Sequence, residues 1–193
     1  MLFRSSAVRA GARRAGSAKA GSRASKTAGA TGPPKAGAPG EALAAARERG
    51  QRFGTLVHAI LAAIDLEADA AAVRASAALY ARLLGAGDAV IDEAARAVSA
   101  ALAHPLLRRA ARAARAGRCR REVALTATLP DSRLLEGVAD AAFLDEGIWT
   151  VVDFKTDADP ALDLAVYGRQ VALYAWAVAR ATGKPARGVL LKV

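Results

Sequence analysis

The sequence predicts an α/β protein, a mixed sheet flanked by helices, and the order of its segments carries that expectation. Helical text fills the chain from about residue 41 to 116, three strand-like stretches follow from about residue 119, and a last helix separates them from a fourth. Strands joined by short turns pair antiparallel, whereas a helical crossover returns the chain to a parallel neighbour.

At 193 residues the chain has room for one domain with a proper core plus an appendage. Residues 1–40 are the appendage: they hold eight Lys or Arg and no Asp or Glu, among many Gly, Ala, Ser and Pro. Without a hydrophobic period such a stretch cannot offset its ordering entropy, so a disordered basic low-complexity tail is expected. It reads as a linker or a basic arm with nonspecific DNA affinity, in preference to an organelle transit peptide, because the Ala, Arg and Gly bias runs through the whole chain. Most of the net charge of +10 lies there; the remainder carries 20 basic against 18 acidic groups. A single cysteine, Cys119, excludes an internal disulfide and a four-cysteine metal cluster and fits a reducing compartment. The longest uncharged apolar run, 55–64, is too short to span a bilayer and is interrupted by His58. No secretory signal is recognisable, and a cytoplasmic protein without membrane attachment is expected.

Within the folded part, Phe53, Leu56, Val57, Ile60, Leu61 and Ile64 recur at threes and fours, which makes 41–64 a helix. Gly54 lies one turn before His58 on the same face and allows close approach of another element. A second helix, 69–84, stops at Gly85-Ala86-Gly87, and Asp88 is expected to cap a third that runs to Leu102. His104, before Pro105, reads as a helix-end residue. A basic helix covers 106–116, where Arg108, Arg112 and Arg115 align along one face. They belong to a cluster that also contains Arg109, Arg118, Arg120 and Arg121; such a stripe either follows a phosphate backbone or is a solvated helix face. Strand text begins near Cys119, turns at Pro130-Asp131-Ser132, and resumes over 133–144 and 148–154. Residues 164–182 form the last helix, stopped by Gly183-Lys184-Pro185, and 186–193 the last strand. No phosphate-binding Gly-x-x-x-x-Gly-Lys-Ser/Thr loop is present, so the chain encodes no ATPase motor.

Asp145-Glu146-Gly147 marks the turn between the second and third strands. If Glu146 and Gly147 form a two-residue loop, Asp145 pairs with Ile148 and Asp140 falls opposite Asp153. Val138, Asp140, Val151, Asp153 and Lys155 then share one face, while Ala139, Ala141, Phe143, Val152 and Phe154 turn toward a core. A three-residue loop shifts the register and spoils the facing acids. Two like charges across a hairpin are destabilising unless a cation or a proton sits between them. Acids converging with an ammonium suit metal-assisted phosphodiester cleavage, in which a metal is held and a water activated. The alternative is an ordinary surface ion pair with Lys155, against which the apolar Val151, Val152 and Phe154 argue.

Five segments in order carry a resemblance: Gly54-Thr55-Leu56-Val57-His58, Arg121-Glu122-Val123, Gly137-Val138-Ala139-Asp140, Val152-Asp153-Phe154-Lys155-Thr156 and Gln170-Val171-Ala172-Leu173-Tyr174. Together they resemble the RecB-type nuclease domains of the PD-(D/E)XK superfamily, found at the ends of helicase-nuclease subunits and in related exonucleases. The resemblance covers about residues 52–193. It implies a restriction-endonuclease-like core within a nuclease domain 41–193, made of a helical layer (41–117) and a sheet core with a crossover helix (118–193). It also implies His58, Asp140 and Asp153 as metal ligands, with the carbonyl of Phe154 adding an oxygen, for Mg²⁺ or Mn²⁺. Lys155 then orients or deprotonates the attacking water, or offsets charge building on the phosphate. Glu122 matches an acid at a strand start whose contact is left open. By the same resemblance Gln170 and Tyr174 face the site and contact the nucleic acid or steady the catalytic groups; read alone, they equally suit an amphipathic helix with Tyr174 and Trp176 partly in the core. Ala139 stands where relatives usually carry a larger aliphatic residue. The implied activity is a divalent-metal-dependent DNA nuclease, an exonuclease of recombination and repair, acting alone or with a helicase subunit. The alternative is a non-catalytic nucleic-acid-binding or scaffold subunit.

Overall fold

The computed structural model describes residues 39–156 and 164–193, so the expected tail lies outside the described residues except for its last two. Helices α1 (Pro39–Ala63), α2 (Ala70–Leu83), α3 (Ile91–Ala103) and α4 (Pro105–Arg115) precede strands β1 (Cys119–Thr128), β2 (Leu134–Asp145) and β3 (Ile148–Lys155). Helix α5 (Leu164–Thr182) then crosses to β4 (Ala186–Lys192). The strands form one sheet in the order β1-β2-β3-β4, antiparallel except for the parallel β3–β4 pair. This is the predicted mixed sheet flanked by helices.

Local chemistry sets the helix ends. The Asp69 carboxylate accepts from the Ala72 N–H and caps α2. His104 closes α3 and opens α4, its Nδ1 accepting from the Leu106 N–H while Pro105 occupies the first turn. Asp88, expected to cap α3, instead opens a 3-10 turn, Asp88–Val90. That turn inserts between Gly87 and the helix and leaves the carboxylate too far upstream to reach the first free N–H groups, so α3 has no side-chain cap.

The β2–β3 loop is the two-residue one. Glu146 (φ 51°) and Gly147 (φ 80°) are both left-handed, as a type I′ turn requires. Asp145 therefore pairs with Ile148 and Ala141 with Val152, and the same register brings Asp140 opposite Asp153.

Two apolar clusters sandwich the sheet. One joins Leu56, Ile60 and Leu61 of α1, Val73 and Ala77 of α2, Val98 of α3 and Leu107 of α4 to Phe143 and Val152. Each fully buried Leu, Ile or Phe there stabilises the fold by roughly 1.5–3 kcal/mol. The other joins Val171, Tyr174, Ala175 and Val178 of α5 to Ala139, Ala142 and Val151. Ala139 thus packs under α5, not beside Ala141 and Phe143 as the simple alternation predicts. The reason lies one strand over: Glu122 adopts φ 50° at the level of Asp140, and the inward face of β1 and β2 changes there. Cys119, Ala141 and Phe143 serve the first cluster, whereas Val123, Leu125, Leu135 and Ala139 serve the second. Among the described residues no helix is long and apolar enough to cross a membrane.

Candidate functional site

By the strand register Asp140 and Asp153 are cross-strand neighbours at the end of the β2–β3 hairpin away from its turn. Both oxygens of Asp140 are engaged. Its Oδ1 lies 3.1 Å from His58 Nδ1 and its Oδ2 accepts the Phe154 N–H at 2.6 Å, so this one carboxylate ties α1 to β3. Asp153 is different. The residue is 7% exposed, and its buried Oδ2 accepts no properly directed hydrogen bond, although Lys155 Nζ is 2.5 Å away. The contact is charge against charge, and the carboxylate retains lone pairs for another partner. Lys155 Nζ also sits 4.3 Å from the centroid of the Tyr167 ring on α5, a cation–π geometry. The His58 ring stands edge-on to Phe154, at 6.1 Å and 72°.

The hydrogen bond to Asp140 raises the pKa of His58 above the usual 6.5, against the effect of burial. The charges of Asp140 and Asp153 add to that rise and the ammonium of Lys155 opposes it. Two carboxylates are therefore balanced by one ammonium and one titratable imidazole. Among the described residues no three His, Cys, Asp or Glu side chains stand together as a preformed cage, because Asp140 faces His58 and Asp153 faces Lys155.

Neighbouring contacts hold these groups in place. Gly54 permits the close approach expected of it: a Cβ there would lie 2.7 Å from Thr156 Oγ1, just past Lys155. Arg121 donates to the carbonyls of Leu61 (3.1 Å) and Ile64, satisfying the C-terminus of the helix that carries His58. Gln170 and Tyr174 share one stripe of α5, and Gln170 Nε2 donates to the Tyr174 hydroxyl at 2.8 Å. Tyr174 is 4% exposed and occupies the space beside Gly137, where a Cβ would come within 2.1 Å of its hydroxyl oxygen. The structure thus places Tyr174 in the core, not on an open face. Glu122 is exposed, and no hydrogen bond or ion pair joins it to the acid pair among the described residues.

Sequence reasoning missed Tyr167, Thr156 and the capping role of Arg121. Tyr167 had a usable signal, since it stands three residues before Gln170 and seven before Tyr174 on the same helical stripe. Thr156 and Arg121 act through tertiary contacts that leave no local pattern.

Two acids and a lysine on the central hairpin of a mixed sheet are the kinds of group that metal-assisted phosphodiester cleavage uses. The chain belongs to the PD-(D/E)XK nuclease superfamily, whose family model matches residues 34–193. The observed sheet is the restriction-endonuclease-like fold that goes with that membership, and nucleases of this superfamily generally use divalent metal ions such as Mg²⁺ or Mn²⁺. No curated protein matches the chain.

Proposed function

We propose that this protein is a RecB-type DNA nuclease that hydrolyses phosphodiester bonds with Mg²⁺ or Mn²⁺. The observation that supports this most is the buried Asp153 carboxylate, with an oxygen lacking a directed hydrogen bond, beside Asp140 and 2.5 Å from an ammonium. The donor set fits such an ion: hard carboxylate oxygens from Asp140 and Asp153, the Phe154 carbonyl on the strand between Asp153 and Lys155, and one imidazole. When bound, the ion supplies Lewis acidity to the phosphate and a more acidic water.

The chain's own residues do the rest. Asp153 is the acid free to ligate, whereas Asp140 must release His58 Nδ1 before both become ligands. Lys155, beside Asp153, would orient or help deprotonate the attacking water, or offset charge developing on the phosphate. Tyr174 holds α5 on β2 from beneath. The half-buried Gln170 is the member of the pair we assign to meet a nucleic-acid strand, and Glu122 is assigned a supporting role. Residues 41–193 form the nuclease unit, with a helical layer over 41–117 and the sheet core over 118–193. An exonuclease of recombination and repair, cytoplasmic and working alone or beside a helicase subunit, is the setting we assign to it.

Purified protein incubated with end-labelled single- and double-stranded DNA plus Mn²⁺, beside a Lys155→Ala control, tests the reading. Cleavage by the parent alone supports it, and a ladder from one end supports the exonuclease assignment. Equal cleavage by both proteins rules out the mechanism. No cleavage by either favours the non-catalytic scaffold.

A further inference from the structure

The acid–lysine centre makes no use of the arginines around α4, and the structure sorts that cluster sharply. Arg109 Nε is turned to Asp145 Oδ2 at 2.7 Å. Arg120 donates to the carbonyls of Gly117 and Cys119, and Arg121 caps α1. Arg108, Arg112 and Arg115 instead line a single cleft of ≈ 520 Å³, walled on its other sides by the connection after α1 (Leu66 to Ala70) and by Ser99 of α3. Arg115 meets Glu67 at 3.5 Å, while Arg108 and Arg112 have no ion-pair partner among the described residues.

These three arginines rise along the helix in steps of about 6 Å and 4.5 Å, a row and not a convergence on one point. Leu107, Ala110 and Ala113 are buried on the opposite face and Ala111 forms part of the cleft floor, so the row is mounted on a helix anchored in the core. Like charges at this spacing repel one another, and a single small anion leaves the row incompletely neutralised. A polyanion with regularly repeated charges satisfies all of them. The cleft lining starts at Leu66, three residues after the end of α1, the helix that carries His58.

We propose that this cleft is a second nucleic-acid contact, holding backbone phosphates of the DNA at a distance from the bond that is cut. The proposal rests on the nuclease reading for its substrate, but its test needs no catalysis. Full-length protein is titrated with a fluorescein-labelled 30-nucleotide single strand and a 30-base-pair duplex in EDTA, across a range of NaCl. Each phosphate neutralised contributes about −0.7 (single strand) or −0.9 (duplex) to the slope of log K against log salt. Replacing Arg108, Arg112 and Arg115 together with Ala is expected to flatten the single-strand slope by about 1.4, the contribution of the two arginines without an ion-pair partner. An equal charge change elsewhere, Arg74→Ala with Arg82→Ala and Arg180→Ala, is expected to flatten it far less. Glu67→Gln, which frees Arg115, is expected to steepen it. In cleavage assays the loss from the cleft variant falls on KM and not on kcat.

Circular dichroism and thermal melts of each variant show whether it is folded, and the Gln versions of the three arginines stand in for any Ala version that is not. Equal flattening by the cleft and control variants, or none by the cleft variant, overturns the proposal. A parent protein that cleaves DNA while the cleft variant keeps its full slope removes this contact alone. A parent that binds with the cleft-dependent slope but cleaves nothing removes the nuclease reading and keeps the contact.

Discussion

At the tip of the β2–β3 hairpin, Asp145 lies beside Arg109, partly open to solvent, with its pKa held below the usual 3.8 by the hydrogen bond from that guanidinium. At the other end of the same two strands, Asp140 and Asp153 are enclosed, and the positive charges near them belong to an imidazole and an ammonium. The tip acid has a partner that never loses its proton, and water screens what remains. The enclosed acids depend on groups that can give up protons or move away. A carboxylate held by arginine in water is a surface fastening; a pair of them beside an imidazole and an ammonium in a largely enclosed site is poised for exchange with a stronger cation.

The widest gap between the two ends is expected in catalysis. Lys155→Ala should lower single-turnover DNA cleavage by about 10²–10⁴-fold, whereas Arg109→Ala should leave the rate unchanged. A comparable loss in both variants would erase the distinction.

Stability separates the enclosed acids from each other. Asp140→Ala leaves the Phe154 N–H and His58 without their acceptor and is expected to cost about 1–3 kcal/mol in urea unfolding without metal. Asp153→Asn also leaves the Lys155 ammonium without its carboxylate, but that side chain is partly exposed and every hydrogen bond of Asp140 is kept; the variant should abolish Mn²⁺ binding measured by calorimetry.

The two ends should also answer to opposite limits of pH. His58 has a folded pKa above 6.5, so its bond to Asp140 contributes fully below that value, and the contribution is lost as pH rises through the folded pKa. The stability gap between the parent and His58→Ala should therefore shrink between pH 5.5 and pH 8 in metal-free buffer. Asp145 has a depressed pKa, so its contribution is present above 3.8 and lost as pH falls through the folded value. The gap between the parent and Asp145→Asn should close only in strong acid.

The smallest effect belongs to Tyr167. Tyr167→Leu removes a cation–π contact worth about 0.5–1 kcal/mol and should lower kcat about 2–5-fold, with Tyr167→Phe restoring it. The upfield ring-current shift of the Lys155 side-chain protons by NMR should vanish in the Leu variant and persist in the Phe variant, with no metal present.

Most of the fold was legible because its signals are local. Gly183, with φ 66°, ends α5 where the text stops the helix, and Glu146-Gly147 selects the turn that aligns Asp140 with Asp153. Gly54 announced a close approach because a missing side chain on an apolar helical face has few other uses. What escaped depended on the path of the backbone. The face change at Glu122 moved Ala139 to the α5 side, and no alternation rule contains a left-handed residue inside a strand. Asp88 looked like a cap, yet a 3-10 turn intervened. The partition of the arginines followed the same logic: spacing aligned Arg108, Arg112 and Arg115, but only packing disclosed that Arg109 and Arg121 are committed elsewhere.

The socket at Gly137 has a further consequence. The Tyr174 phenol is seated where any β-carbon at residue 137 would collide, so this contact fixes how close α5 lies to β2. Tyr167, two turns upstream on that helix, inherits its bearing over Lys155 from this pin. A methyl group added at Gly137 carries no charge and touches no reacting atom, yet it would swing the far end of the helix off the lysine. The site would then fail like a clock whose escapement is whole but whose arbor has been bent.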